Sequence, residues 1–96
     1  MEEKKTNISA LDISNYSISD ITGIEDMLNL ITLNAINNTI SDLSPINSLT
    51  SLGALYAYNN NLSNVDLSSL NNLSNVRLNN NQITQIILPD SANPSL

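Results

Sequence analysis

The sequence predicts an α/β-type solenoid, with short strands stacked in parallel along one side and tight 3₁₀ or extended returns along the other. Three observations carry that expectation. Aliphatic positions recur with a single step: Leu11, Leu33 and Leu55 stand 22 residues apart and Val76 follows after 21. Ile13, Ala35, Ala57 and Leu78 keep the same step, as do Ile18, Ile40, Leu62 and Ile83, and Ile21, Leu43, Val65 and Ile86. Within each unit, LITLNAINNTI (30–40) and LGALYAYNNNL (52–62) alternate apolar and other residues, the period of a strand. The second half of a unit, as in SDLSPINSLTSL (41–52), spaces its apolar residues by three, which suits a 3₁₀ turn or a short extended return better than an α-helix. Self-similarity at this period marks units that cannot bury their apolar faces alone and must stack.

Taken in order, residues 1–7 (MEEKKTN) are expected to be a flexible remnant. Unit one spans 8–29, unit two 30–51, unit three 52–72 and unit four 73–88, with 89–96 an irregular end or truncated repeat. Pro45 suits the first position of a return turn, where its fixed φ is appropriate and its missing N–H is no loss. Unit three is one residue short, so its return positions are Leu67, Leu70 and Leu73, where unit one has Ile24, Met27 and Leu30 and unit two has Ile46, Leu49 and Leu52. Terminal coils lack a neighbour on one side, so fraying at 1–7 and 89–96 and self-association through exposed ends are expected.

Composition limits what such a scaffold can do. In 96 residues, 18 Asn and 14 Ser stand against 15 Leu and 12 Ile, enough aliphatic material for one core. The net charge is −6, and Arg77 is the one base beyond residue 5, which argues against nucleic acid or anionic membrane as partners. Without Cys there is no disulfide framework, thiolate metal site or thiol nucleophile. No run approaches the ~18 apolar residues of a membrane span, and MEEKKTN lacks the apolar stretch of a signal peptide.

The pattern LxxLxLxxNxLxx(L) appears as L-I-T-L-N-A-I-N-N-T-I (30–40) and L-G-A-L-Y-A-Y-N-N-N-L (52–62). It resembles the leucine-rich repeat, and the 22-residue period with SDLSPINSLTSL resembles the bacterial internalin type. SDITGIEDMLNL (19–30) is similar to the opening repeat of that type. The resemblance covers residues 8 to about 88. It implies a right-handed superhelix with a concave parallel sheet, a protein-binding role without enzymatic activity, and a parent protein at the bacterial surface or secreted. Two departures stand out. Tyr16 occupies the position that Asn38, Asn60 and Asn81 hold in the other units, which suggests looser packing in coil one. MEEKKTN is also too short for the helical cap of the internalin type.

Asn38, Asn60 and Asn81 are expected to point inward at the bend after each strand, forming a structural ladder that serves unpaired backbone groups. The adjacent Asn15, Asn37, Asn59 and Asn80 read as turn residues that tolerate unusual dihedrals. Asp20 and Asp42, continued by Asn64 and Gln85, read as caps for the following turn, since two carboxylates on separate coils fall short of a calcium site. No metal site, cofactor or catalytic residue is expected. Because Leu55 and Ala57 face inward, Tyr56 and Tyr58 must face outward, in columns that run Asp12, Asn34, Tyr56, Arg77 and Ser14, Ile36, Tyr58, Asn79. Ile36 beside Tyr58 and Arg77 beside Tyr56 form the candidate contact surface, with Asn34 and Asp12 flanking it. Two other roles fit the same array: a spacer with no ligand of its own, or an intracellular regulator of the phosphatase-regulator kind.

Overall fold

The computed structural model describes residues 8–89. The expected flexible remnant at 1–7 lies outside that range, as does the expected irregular end apart from Pro89. Six three-residue strands form two parallel sheets: β1 (Ala10–Asp12), β2 (Thr32–Asn34), β3 (Ala54–Tyr56) and β5 (Asn75–Arg77) in one, β4 (Asn64–Asp66) and β6 (Gln85–Ile87) in the other. The larger sheet runs β1-β2-β3-β5, and its register places Leu11, Leu33, Leu55 and Val76 side by side. Among the described residues the only helical elements are two 3₁₀ turns, Ile24–Asp26 and Ser44–Ser48.

Each aliphatic column becomes a row of the core. Leu33, Leu55, Ala35, Ala57, Ile40 and Leu62 are fully buried. Of the in-register column Leu11, Leu33, Leu55 and Val76, Leu33 and Leu55 are the fully buried members. Leu11 and Val76 are half-buried, because each lies on an end strand with a neighbouring strand on one side.

The returns convert sequence spacing directly into hydrogen bonding. Where apolar residues stand three apart, each N–H donates to the carbonyl of the previous one: Ile24 to Ile21, Met27 to Ile24 and Leu30 to Met27, then Ile46 to Leu43, Leu49 to Ile46 and Leu52 to Leu49. These i→i+3 bonds turn the chain once per apolar residue and aim each one inward. Gly23, at φ 108°, supplies the left-handed entry to the first turn, a conformation that side chains resist. In coil three the missing residue falls between Val65 and Leu67. A spacing of two demands extended backbone, and β4 forms there in place of a 3₁₀ turn. Coil four repeats that choice in β6, which pairs Ile86 with Val65 and whose Ile87 carbonyl accepts the Leu67 N–H at 2.7 Å.

The bend after each strand is closed by an asparagine from the following coil. Asn60 Oδ1 accepts the Ile40 N–H at 2.9 Å, while its Nδ2 donates to Ala35 O at 2.9 Å and Ala57 O at 3.1 Å. Asn81 does the same for Leu62, Ala57 and Leu78. Asn38 accepts from the Tyr16 and Ile18 N–H groups and donates to Ile13 and Ala35 carbonyls. Each amide thus reaches back one coil, which explains why coil one tolerates Tyr16: its bend is served by Asn38, and the ring is left 71% exposed. Outside this row, Asn15, Asn37, Asn59 and Asn80 all take φ near +60°, a region open to Asn more readily than to bulkier residues. Asn59 donates to Asn37 and Asn37 to Asn15, making a second, exposed amide ladder.

Exposed carboxylates close short turns on both sides of the stack. Asp20 accepts from the Thr22 N–H and hydroxyl, and Asp42 from the Ser44 N–H. Asp12 and Asp66 bind the N–H groups of Ser14 and Ser68 in the same way. In Asp12, Asp20 and Asp66 the hydroxyl two residues on, and then its N–H, hold the carboxyl below its ordinary value of 3.8.

Two outcomes follow for stability. Replacing Asn60 with Ala orphans the buried Ile40 N–H and leaves the Ala35 and Ala57 carbonyls one amide donor each, from Asn38 and Asn81, so urea unfolding should show a loss of ~1–3 kcal/mol, while the exposed Asn61→Ala should stay within about 0.5 kcal/mol of wild type. The carboxylates set a pH window. Since the folded values lie below the unfolded one, their contribution is present above 3.8 and lost as pH falls through the folded values. NMR titration should place the midpoints of Asp12, Asp20 and Asp66 below 3.8, and Ser68→Ala should move the Asp66 midpoint upward.

Candidate binding face

The outward side of the four-stranded sheet collects most of the side chains singled out from the sequence. In register, Asp12 lies beside Asn34, Asn34 beside Tyr56 and Tyr56 beside Arg77. The second column continues past the strand ends. There the Asn15 N–H donates to Ile36 O and the Asn37 N–H to Tyr58 O, which keeps Ile36 and Tyr58 on adjacent coils.

Exposure divides these residues. Asp12 and Arg77, on the two end strands, are exposed, whereas Asn34, Ile36, Tyr56 and Tyr58 are half-buried between neighbouring strands. The Tyr56 hydroxyl accepts a hydrogen bond from Asn75 Nδ2 at 3.1 Å, so its ring is anchored to the next strand through a residue of the adjoining column. Asn34 Oδ1 accepts the Ile36 N–H at 3.3 Å. Asp12 is held by the Ser14 hydroxyl and N–H, both of which favour its charged form. The face therefore offers Ile36, Tyr56 and Tyr58 on adjoining coils, with Tyr56 held by Asn75, between a carboxylate at one end and a guanidinium at the other. Asn38, Asn60 and Asn81 lie behind it, turned toward the backbone. Among the described residues no group of three or more acidic side chains is placed to hold a metal ion.

Sequence reasoning missed the most exposed aliphatic residues of coil one and its junction with coil two. Leu28 and Ile31 are 54% and 52% exposed. Ile31 precedes β2, and its Cγ2 lies 3.8 Å from where a Cβ on Gly53 would sit, so the side chain rests over a position that carries no side chain in the next coil. A signal was available: the column Ser9, Ile31, Gly53, Ser74 is otherwise made of small residues, and one Ile in it interrupts the pattern.

No family model matches the sequence, and no curated protein aligns with it. Solved structures do. An internalin (inlF) from Listeria monocytogenes str. 4b F2365 superposes with a TM-score of 0.78 and 28% identity, over 93% of this chain and 30% of its own length. Internalin C2 (inlC2) from the same strain superposes with a TM-score of 0.78 and 35% identity, over 82% of this chain and 35% of its own. The chain spans about a third of the length of these internalins. With the Asn-closed bends, the parallel sheet and the 3₁₀ returns, these likenesses make the chain an internalin-like leucine-rich repeat protein.

Proposed function

We propose that the chain is a protein-binding module that recognises its partner through the outward face of the four-stranded sheet, and that it acts without catalysis. The observation that carries this reading is the set of half-buried Ile36, Tyr56 and Tyr58 on adjoining coils, with Tyr56 anchored by Asn75. Tyr contributes large contact area with little rotamer freedom to lose, and anchoring by Asn75 lowers that cost further. Arg77 and Asp12 supply charged flanks for orientation. Extending the likeness to internalins, we read the parent as a bacterial surface or secreted protein.

Size restrains the affinity. Four strands at ~4.8 Å spacing span about 15 Å, so the face offers a few hundred Å² against the ~800 Å² per partner of a stable interface. Binding by this chain alone should be micromolar or weaker. A photo-crosslinking amino acid placed at position 34, in register with Tyr56, should trap a partner that the same group at Asp26 on the return side does not. Tyr56→Ser with Tyr58→Ser should then reduce capture of that protein at least ~10-fold, about 1.4 kcal/mol. A double variant with wild-type circular dichroism that captures it undiminished would exclude the two tyrosines of the sheet face as the site of recognition.

A further inference from the structure

The outward columns of the four-stranded sheet complement themselves. The strand order is β1-β2-β3-β5, so a line parallel to the strands and midway between β2 and β3 has two strands on either side. A half-turn about such a line lays a second copy over the first and exchanges β1 with β5 and β2 with β3. Asp12, exposed on β1, then faces Arg77, exposed on β5. Asn34 on β2 faces Tyr56 on β3, and just past the strand ends Ile36 faces Tyr58. Each contact occurs twice with the roles reversed, as a two-fold interface requires.

We propose that the partner of this face is a second copy of the chain, docked face to face about a two-fold axis parallel to the strands. The proposal rests on the reading of the sheet face as the contact surface and names its occupant; it uses no end of the stack. Charge selects the axis. Within one molecule Asp12 and Arg77 lie three strand spacings apart, ~14 Å, beyond the ~8 Å screening length at physiological salt. Neither forms an ion pair with another described residue. The parallel axis brings both into opposite-charge contact at once. An axis across the strands instead sets Asp12 against Asp12 and Arg77 against Arg77. Shifting the parallel axis toward β1 sets Asp12 against Asn34 or Tyr56, both neutral.

The neutral contacts agree with that placement. The Tyr56 hydroxyl accepts from Asn75 and keeps its own hydrogen to donate. Asn34 Oδ1 accepts one long bond, from the Ile36 N–H at 3.3 Å, and its Nδ2 donates to no described residue. A phenol donor and an amide with spare acceptor and donor capacity therefore meet across the axis. Beside them Ile36 and Tyr58 bring an aliphatic side chain against an aromatic ring, twice per dimer, so the larger apolar groups of the face cover one another. A face of a few hundred Å² stays below the ~800 Å² per partner of a stable interface. The dissociation constant therefore falls on the order of hundreds of micromolar.

Sedimentation equilibrium of the full 96-residue chain from about 20 µM to about 1 mM tests this. The weight-average mass should rise toward the dimer and no further, since an isologous contact closes on itself. Asp12→Arg and Arg77→Asp, checked for folding by circular dichroism, each reverse two contacts and should raise the dissociation constant ~2–30-fold. An equimolar mixture of the two should regain wild-type association, because each offers the charges the other lacks. Tyr58→Ser should weaken dimerisation at least ~10-fold and serves as the test if a charge variant fails to fold. A mass that climbs past the dimer, folded variants that dimerise as wild type, or a mixture that stays dissociated would each overturn the proposal. So would a chain monomeric at about 1 mM; if position 34 of that chain still captured another protein, the sheet face would stand as a contact surface with a different occupant.

Discussion

The structure depends on one polar interaction, the carboxamide that reaches from each coil to the bend of the coil before it. Apolar contact supplies most of the favourable energy of a stack like this, but it is non-directional and proportional to area. Columns of Leu and Ile would bury nearly as well after a small slip. The amide does not slip. Asn60 needs an N–H from Ile40 and carbonyls from Ala35 and Ala57 at once, and that combination exists at one offset between neighbouring coils. Once the offset is set, the strands pair in the register that lines up Leu33 with Leu55, and the outward side chains fall into their columns as a consequence.

The return side is governed by a looser rule, and coil three shows how loose. Three-residue spacing and two-residue spacing both deliver aliphatic side chains to the same interior, one through i→i+3 bonds and the other through extended backbone. A single missing residue between Val65 and Leu67 switches the local structure from turn to strand without disturbing the larger sheet, where β3 pairs directly with β5. The same change creates the second sheet, since β6 in coil four has the two-residue spacing needed to pair with β4. Tolerance on one side and strictness on the other follow from where the buried polar groups lie.

Much of this was legible in the sequence because the repeat compares each unit with the others. The inward row, the outward columns and the Asn row are properties of position within the period, and a shared period reveals them. What repetition cannot show is what differs between copies. Leu11 and Val76 share a column with Leu33 and Leu55, yet end strands leave them half-covered. Arg77 is the in-register neighbour of Tyr56, but the hydroxyl is met by Asn75, because side-chain reach rather than register decides which neighbour is bonded. Ile31 escaped notice because it stands where the other units carry Ser9, Gly53 and Ser74, so the shared period assigns that column no apolar residue.

The backward reach of the amides gives the stack a direction in time as well as in space. Each bend acquires its closing side chain from a residue 19 or 20 positions further along the chain, as Ile18 does from Asn38, Ile40 from Asn60 and Leu62 from Asn81. A chain leaving the ribosome N-terminus first therefore completes no coil on its own. Each becomes closed only when the next has emerged, so ordering trails synthesis by about one repeat throughout. An arrest of translation would always leave the most recently emerged bend unsatisfied, and a cut from the C-terminal side would unlatch the coil left at the new end. Loss of coil one, by contrast, would leave the later bends latched: of the closing amides, Asn38 alone would lose partners.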